Sequence, residues 1–167
     1  YPLLDVSVTY EGNRQANNFL ALNEATIQKV GGTMVSDVYI DRQHFERFRG
    51  DGICVSTPTG STGYSKSIGG AVLHPGLKAL QMTEIASLNN RVYRTLSSPL
   101  IIAEDEVINL DLLESQDLLL TLDHITTTET EVKNIRLRIA KDSIRFARYR
   151  HTHFWDRVSD AFIGEKL

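Results

Sequence analysis

The side chains best suited to hold a polar ligand are concentrated in residues 57–67, directly after the apolar run 53–55. This segment consists almost entirely of Thr, Ser and Gly, with Tyr64 inside it. Gly60 and Gly63 let the backbone approach a ligand and present N–H groups to it, while the Tyr64 ring can stack on a planar base. We therefore expect a loop that binds a phosphate-bearing or nucleotide-like ligand. The alternative is a plain connector, because Ser, Thr and Gly are also common in turns.

Three further polar positions could contribute to such a site. The pair Asn23-Glu24 divides the apolar run 19–27, so it either faces outward at a strand end or reaches into a cleft, where it must find hydrogen-bond partners. Asp51 lies between two glycines, in a turn that either holds its carboxylate clear of the backbone or uses it in an Asx-turn. His124 follows an apolar strand and is the best placed of the five histidines, with a structural role as the alternative.

Composition and motifs exclude several other classes of protein. The formal net charge of −3 argues against non-specific binding of nucleic acid. The single cysteine and the scattered histidines argue against a structural zinc site, and we predict no metal ligands in this chain. No apolar stretch approaches the roughly 20 residues that span a bilayer, so no membrane partner is predicted. Cys54 is interpreted as a buried small hydrophobe, and a reducing, cytoplasmic setting is expected.

The loop has neither of two common phosphate-binding signatures. It does not end in the Gly-Lys-Ser/Thr of a Walker A loop, and the chain contains no G-x-G-x-x-G dinucleotide fingerprint. A G-x-S-x-G nucleophile elbow is missing as well, which gives a hydrolase little support.

The elements that would position these groups are mostly strands, because apolar residues alternate or form short runs between polar turns. Phe154, Val158 and Phe162 instead follow a helical spacing, which predicts an amphipathic helix over residues 153–163. One or two helical turns are predicted after Pro75, up to residue 82. The fold class is therefore mainly β, a sandwich-like domain of many strands with a short C-terminal helix. Strands are predicted at residues 4–10, in both parts of 19–27, and at 35–40, 44–49, 53–56, 100–102, 107–112, 118–122, 135–139 and 144–148.

Three spaced motifs resemble those of bacterial NAD kinases. Residues 57–65, Thr-Pro-Thr-Gly-Ser-Thr-Gly-Tyr-Ser, resemble the TPTGSTAYS-type loop of that family. Asn23-Glu24 is similar to its Asn-Glu motif, and residues 50–52 are similar to its Asp-Gly before a buried strand. The similarity covers essentially the whole chain in the right order and is strongest to enzymes of Gram-positive bacteria. It continues through Gly69-Gly70, His74-Pro75, residues 87–95 and Asp123-His124.

This resemblance implies that residues 1–167 form the C-terminal, mainly β domain of an ATP- or polyphosphate-dependent NAD kinase. Such enzymes phosphorylate the 2′-hydroxyl of the adenosine ribose of NAD, giving NADP, with Mg²⁺ accompanying the phosphate donor. In the family an N-terminal α/β domain supplies a Gly-Gly-Asp-Gly-Thr loop, whose Asp is the catalytic base. That motif is not in this sequence, which starts at Tyr1 without a Met and is interpreted as part of a longer protein. No catalytic residue is therefore predicted in this chain, and by itself it is expected to bind NAD or NADP without turnover.

The resemblance also implies which residues touch the dinucleotide. Those contacting the adenine and its ribose would be Asn23, Thr59, Thr62, Gly63 and Tyr64. Those toward the nicotinamide half would be Glu24, Ser67 and His124. A neighbouring subunit of a homodimer or homotetramer would contribute Asp51, Ala86 and Tyr93.

Two other functions remain as alternatives. The diacylglycerol and sphingosine-type lipid kinases are similar in fold, although they lack the combined Asn-Glu and TPTGST motifs. A non-catalytic dinucleotide-binding or sensor module is the second alternative.

Overall fold

The computed structural model describes residues 1–147 and 152–164. In these residues the chain forms ten β-strands, a short 3-10 turn and two helices. The strands are β1 (Pro2–Tyr10), β2 (Asn17–Ala21), β3 (Glu24–Lys29), β4 (Met34–Ile40), β5 (Gln43–Gly50), β6 (Gly52–Ser56), β7 (Ala79–Ile85), β8 (Leu100–Ala103), β9 (Ile108–Leu122) and β10 (Ile125–Ser143). The 3-10 turn is Thr59–Thr62, and the helices are α1 (Tyr64–Ser67) and α2 (Phe154–Phe162).

These ten strands belong to one antiparallel, hydrogen-bonded sheet whose two halves are joined by the long strands β9 and β10. Residues 108–112 of β9 pair with β4, whereas residues 118–122 pair with β3. Side chains from both halves enter one apolar core, for example Val6 from β1, Ile53 from β6 and Leu120 from β9. The predicted fold, mainly β and sandwich-like with a C-terminal helix, is confirmed.

The helical turns predicted up to residue 82 are wrong, because Ala79–Ile85 is strand β7 between β6 and β8. Its first five residues are all buried, including the polar Gln81 and Thr83. A strand buried on both faces has no clear polar-apolar alternation, so its spacing resembles that of a short helix.

Two long strands were predicted as shorter pieces. Residues 107–112 and 118–122 are parts of one strand, β9, and residues 135–139 are the middle of β10. The polar residues 113–117 between the first two pieces are typical of a turn, but here they continue β9 through an irregular register with β10. The strand predicted at 144–148 is also wrong, since residues 144–147 lie outside any strand and Arg148 lies outside the described residues.

The C-terminal helix is confirmed within one residue at each end. None of the residues of α2 is buried, although the helix contacts the segment after α1. The Phe154 and His74 rings meet edge to face with centroids 5.2 Å apart, and the Lys66 ammonium lies 4.3 Å from the Phe162 ring centroid. Helix α2 therefore lies beside the hydroxyl-rich loop.

Candidate functional site

Strands β3 and β6 fix the relative positions of the predicted site residues. In their antiparallel register Glu24 pairs with Ser56 at one end, and Gln28 pairs with Gly52 at the other. The Asn23-Glu24 pair and the loop 57–67 therefore meet at one end of β6, whereas Asp51 precedes the opposite end. At about 3.3 Å per residue, the four steps from Gly52 to Ser56 separate the two ends by roughly 13 Å.

Asp123 organises the first end, although the sequence analysis named it only within the Asp123-His124 resemblance and predicted no role for it. It begins the two-residue turn between β9 and β10 with a φ of 55°, a left-handed conformation that Asp tolerates better than most residues. Its carboxylate accepts hydrogen bonds from the backbone N–H groups of Leu22 (3.0 Å), Asn23 (2.6 Å) and Glu24 (3.3 Å). The bend between β2 and β3 is thereby held against the β9–β10 turn. Two residues between long apolar strands are a hairpin signal that could have identified it.

Three of the loop's hydroxyl groups are buried and hold the loop in place. Thr57 donates to the Leu22 carbonyl at 2.6 Å, and Ser61 donates to the Pro58 carbonyl at 2.6 Å while accepting from the Leu73 N–H. The Ser65 hydroxyl accepts from Gln81 on β7 at 3.2 Å. These three side chains are buried, which leaves Thr59, Thr62 and Ser67 as the candidates for ligand contact.

The three remaining hydroxyls differ in their surroundings. The Thr59 hydroxyl is buried and has no hydrogen-bond partner, so it is available to bond a ligand. Thr62 is half-buried, and Ser67 is exposed and donates to the Tyr64 carbonyl at 2.6 Å.

Two glycines of the loop face different constraints. A Cβ at Gly60 would lie 2.1 Å from the Asn23 carbonyl oxygen, so only glycine allows the loop to rest on the β2–β3 bend. A Cβ at Gly63 would lie 3.7 Å from Glu24 Oε2, an ordinary contact. Gly63 is therefore beside the Glu24 carboxylate, with room for a small side chain.

The Glu24 side chain is buried. Of the two orientations predicted for the Asn23-Glu24 pair, Glu24 therefore has the one that reaches inward. It is 7% exposed, and none of the described residues donates a hydrogen bond to its carboxylate. Burial and, secondly, the negative charge of Asp123 raise the pKa of Glu24 to about 7. An acceptor that lacks donors is suited to a ligand that brings hydroxyl groups.

Tyr64 has an exposed part and a part turned toward the strand. Its side chain is 39% exposed. The pKa of its phenol is raised mainly by burial and, to a smaller extent, by the charges of Cys54 and Asp51. Cys54 itself is buried as predicted, and burial raises its pKa to about 12. The Tyr64 side chain thus lies between the loop and β6, with ring surface left for stacking.

The second end brings Asp51, Ala86 and Tyr93 together. The Asp51 N–H donates to the Ile85 carbonyl at 3.0 Å, and Ala86 follows directly with a φ of 49°, in the left-handed region. The Arg49 guanidinium lies over the Tyr93 ring, 4.0 Å from its centroid. These three predicted residues lie at the Gly52 end of β6, although the charge of Asp51 still reaches the Tyr64 phenol.

His124 is exposed in the β9–β10 turn, next to Asp123. It therefore lies at the first end, with the other residues predicted for the nicotinamide half. No helix among the described residues is long and apolar enough to cross a membrane.

The chain matches a family model and many curated proteins. The model of the ATP-NAD kinase C-terminal domain matches residues 22–149. The chain is 56% identical over 166 residues to an NAD kinase of Latilactobacillus sakei, covering 99% of this chain and 62% of that protein. It is 60% identical to an NAD kinase of Lacticaseibacillus paracasei with the same coverage. With NAD kinase 1 of Bacillus subtilis it shares 48% identity over 165 residues, 99% of this chain and 62% of that protein. The chain thus spans about three fifths of the length of these curated relatives.

Solved structures share the fold. A yeast NADH kinase in complex with NADH superposes with a TM-score of 0.73 at 26% identity, over 83% of this chain and 40% of that one. An NAD kinase of Archaeoglobus fulgidus in complex with ATP gives a TM-score of 0.65 at 23% identity, over 84% of this chain and 52% of that one, and supports the fold alone.

Proposed function

The chain belongs to the ATP-NAD kinase C-terminal domain family, and from that premise we propose that it is the dinucleotide-binding part of an NAD kinase. The complete enzyme would transfer a phosphoryl group from ATP or polyphosphate to the 2′-hydroxyl of the adenosine ribose of NAD. The observation that carries this proposal is Glu24, a buried carboxylate without donors, beside Gly63 and under the hydroxyl-rich loop. A ribose diol supplies the donors that this carboxylate lacks.

The first end of β6 would bind the adenosine. Tyr64 would stack on the adenine, and the Asn23 side chain with Thr59 and Thr62 would hydrogen-bond the base and its ribose. The backbone of Gly63 would approach the ligand closely. Glu24, Ser67 and His124 would face the nicotinamide half.

The second end would complete the pocket of a neighbouring subunit. Asp51, Ala86 and Tyr93 lie at the end of β6 opposite the one that leads into the loop, and Asp51 is exposed. We therefore propose a homodimer or homotetramer in which this group faces the first end of another copy. A cytoplasmic location is part of the proposal and rests on the single, buried cysteine.

The chemistry would need parts that lie outside this chain. Phosphoryl transfer depends mainly on positioning and on neutralising the charge of the transferred group. The described residues hold no group of three or more His, Cys, Asp or Glu side chains that could bind a metal ion. Mg²⁺ therefore does not fit this chain's own side chains and would accompany the phosphate donor. The catalytic base would come from the Gly-Gly-Asp-Gly-Thr loop of the longer protein.

Calorimetric titration of the 167-residue chain with NAD and with NADP tests this function. We expect binding without turnover, and we expect Tyr64→Ala to weaken it about fivefold or more, since loss of base stacking costs about 1–3 kcal/mol. Phe45→Ala is the matched control, because Phe45 is similarly exposed (42% against 39%) but lies on β5. The longer protein with the Gly-Gly-Asp-Gly-Thr loop should phosphorylate NAD. An absence of heat with both dinucleotides, or equal effects of the two variants, would contradict the proposed pocket.

A further inference from the structure

Two glutamates from different strands meet beneath the segment that follows β7. Glu46 lies on β5 and is 8% exposed, and Glu84 lies on β7; their carboxylates bind consecutive residues of that segment, Leu96 and Thr95, and are therefore close together. Two neighbouring carboxylates repel each other unless one carries a proton. The pair is separate from Asn23, Glu24 and the loop 57–67.

Each glutamate also holds residues 87–97, the segment between β7 and β8. The Leu96 N–H donates to Glu46 Oε2 at 2.8 Å, and the Thr95 hydroxyl donates to Glu84 Oε2 at 2.7 Å. Two further contacts tie the segment to the sheet: the Leu88 N–H donates to the Arg49 carbonyl at 2.7 Å, and the Arg49 guanidinium covers the Tyr93 ring. The acid pair thus supplies two of these four ties.

Hydrogen bonds from Asn89 and Asn90 connect the residues of the segment to one another. A contact that fixes one of these residues therefore helps to fix the others. The Asn89 side chain bonds the Thr95 N–H and hydroxyl, each at 2.9 Å, and Asn90 Oδ1 accepts from the Tyr93 N–H at 2.9 Å. Residues 95 and 96 therefore help to fix the position of Tyr93.

Glu46 Oε1 is the buried oxygen of the pair that is left for the proton. Glu46 Oε1 is buried and has no donor, while Glu46 Oε2 and Glu84 Oε2 already accept hydrogen bonds from the segment. A proton on Oε1 can be donated to Glu84 without disturbing either bond.

Other charged groups around the pair are engaged elsewhere or missing from its contacts. Across β4 the register partner of Glu46 is the apolar Val38. Along β5, Arg47 forms two hydrogen bonds of 2.9 Å with Asp37, and Arg49 lies over Tyr93. From the segment the pair receives a neutral hydroxyl and a backbone amide, while the exposed Arg91 and Arg94 of the segment form no ion pair with it among the described residues.

We propose that Glu46 and Glu84 share one proton and act as a positioning pair, which holds residues 87–97, with Tyr93 and the adjoining Ala86, in the geometry for dinucleotide binding. The link from this pair to dinucleotide binding rests on the proposed function, which places Ala86 and Tyr93 at the pocket of a neighbouring subunit. The shared proton itself rests only on the contacts described above.

The pair makes the segment sensitive to pH in a definite direction. Burial, followed by the bond to Glu84, raises the pKa of Glu46 to about 8. A raised acid pKa means that the stabilising contribution is complete below the ordinary value near 4.5 and is lost as pH rises through about 8. Above that pH a second negative charge appears in the pair, and the segment is expected to open.

Amide hydrogen–deuterium exchange of residues 86–98 in the 167-residue chain tests the shared proton. After correction for the intrinsic pH dependence of exchange, we expect protection in the wild type to fall at least about fivefold between about pH 6 and about pH 9.5. Glu46→Gln keeps a donor for Glu84 and an acceptor for the Leu96 N–H at every pH, so its protection should stay constant. Glu46→Ala should lose protection at both pH values. Glu114→Gln, which removes an exposed carboxylate on β9, should behave like the wild type.

An equal pH dependence in the wild type and Glu46→Gln would overturn the shared proton. Titration with NADP at the two pH values tests the positioning role separately. A dissociation constant that rises with pH in the wild type but not in Glu46→Gln supports it, and one that rises equally in both overturns it. If the wild type binds no dinucleotide at either pH, the proposed function and the positioning role fail together, while the exchange result still decides whether the proton is shared.

Discussion

The two ends of strand β6 are built in different ways. At the first end, backbone groups of the β2–β3 bend, the loop 57–67 and the β9–β10 turn bond one another through Asp123 and Thr57. At the second end an irregular segment rests on the sheet through four ties, and Ala86 is held in the left-handed region. The first end is held by hydrogen bonds among several strands and turns, whereas the second depends on a few contacts of one segment. A pocket assembled from both would combine two halves that are held in different ways.

The largest effect on stability is expected from removing the Asp123 carboxylate, which organises the first end of β6. Asp123→Ala deprives three backbone N–H groups of their acceptor and leaves an alanine at a φ of 55°. Hydrogen bonds to charged groups contribute about 1.5–3 kcal/mol each, so we expect a loss of about 3 kcal/mol or more in the free energy of unfolding. Chemical denaturation measures it, together with loss of dinucleotide binding.

The control for this change is Asp117→Ala. Asp117 also accepts from a backbone N–H, that of Glu131, but makes a single exposed bond at 3.0 Å. A loss below about 1 kcal/mol is expected there. If both variants lost the same stability, the first end would not depend on Asp123 and the contrast between the two ends would disappear.

A smaller effect is expected from the same substitution at two glycines of the loop. Gly60→Ala places a methyl group 2.1 Å from the Asn23 carbonyl oxygen, so the loop must move off the β2–β3 bend. Overpacking of this kind costs about 1–3 kcal/mol. Gly63→Ala meets its nearest neighbour at 3.4 Å and should cost less than about 0.5 kcal/mol.

Thermal or chemical denaturation of the two alanine variants compares them directly. A Gly60→Ala variant as stable as Gly63→Ala would mean that the first end adapts as readily as the second.

The sequence predicted the loop, the polar pair and the strand between them because each produces a local pattern. It did not identify Asp123 as an organising residue, since its partner Leu22 lies 101 residues away along the chain. Gln81 was missed as well, although its partner Ala71 is only 10 residues away, because it lies on the strand β7. The β7 strand was missed because burial on both faces hides its alternation. The Glu46–Glu84 contact gives no sequence signal either, because it joins two non-adjacent strands.

The smallest effect on stability is expected from a substitution of Asp51 at the second end. This substitution distinguishes a structural role of Asp51 from a role in binding. Asp51 is exposed, so Asp51→Asn should change the free energy of unfolding by less than about 0.5 kcal/mol. If Asp51 acts across a subunit interface, the variant weakens dinucleotide binding in the assembled protein and leaves a forced monomer unaffected. Calorimetry on both forms, with the oligomeric state fixed by ultracentrifugation, makes the comparison. Equal weakening in the monomer would put Asp51 in the same pocket as Glu24 and Tyr64, and the two ends of β6 would then serve one site within a single chain.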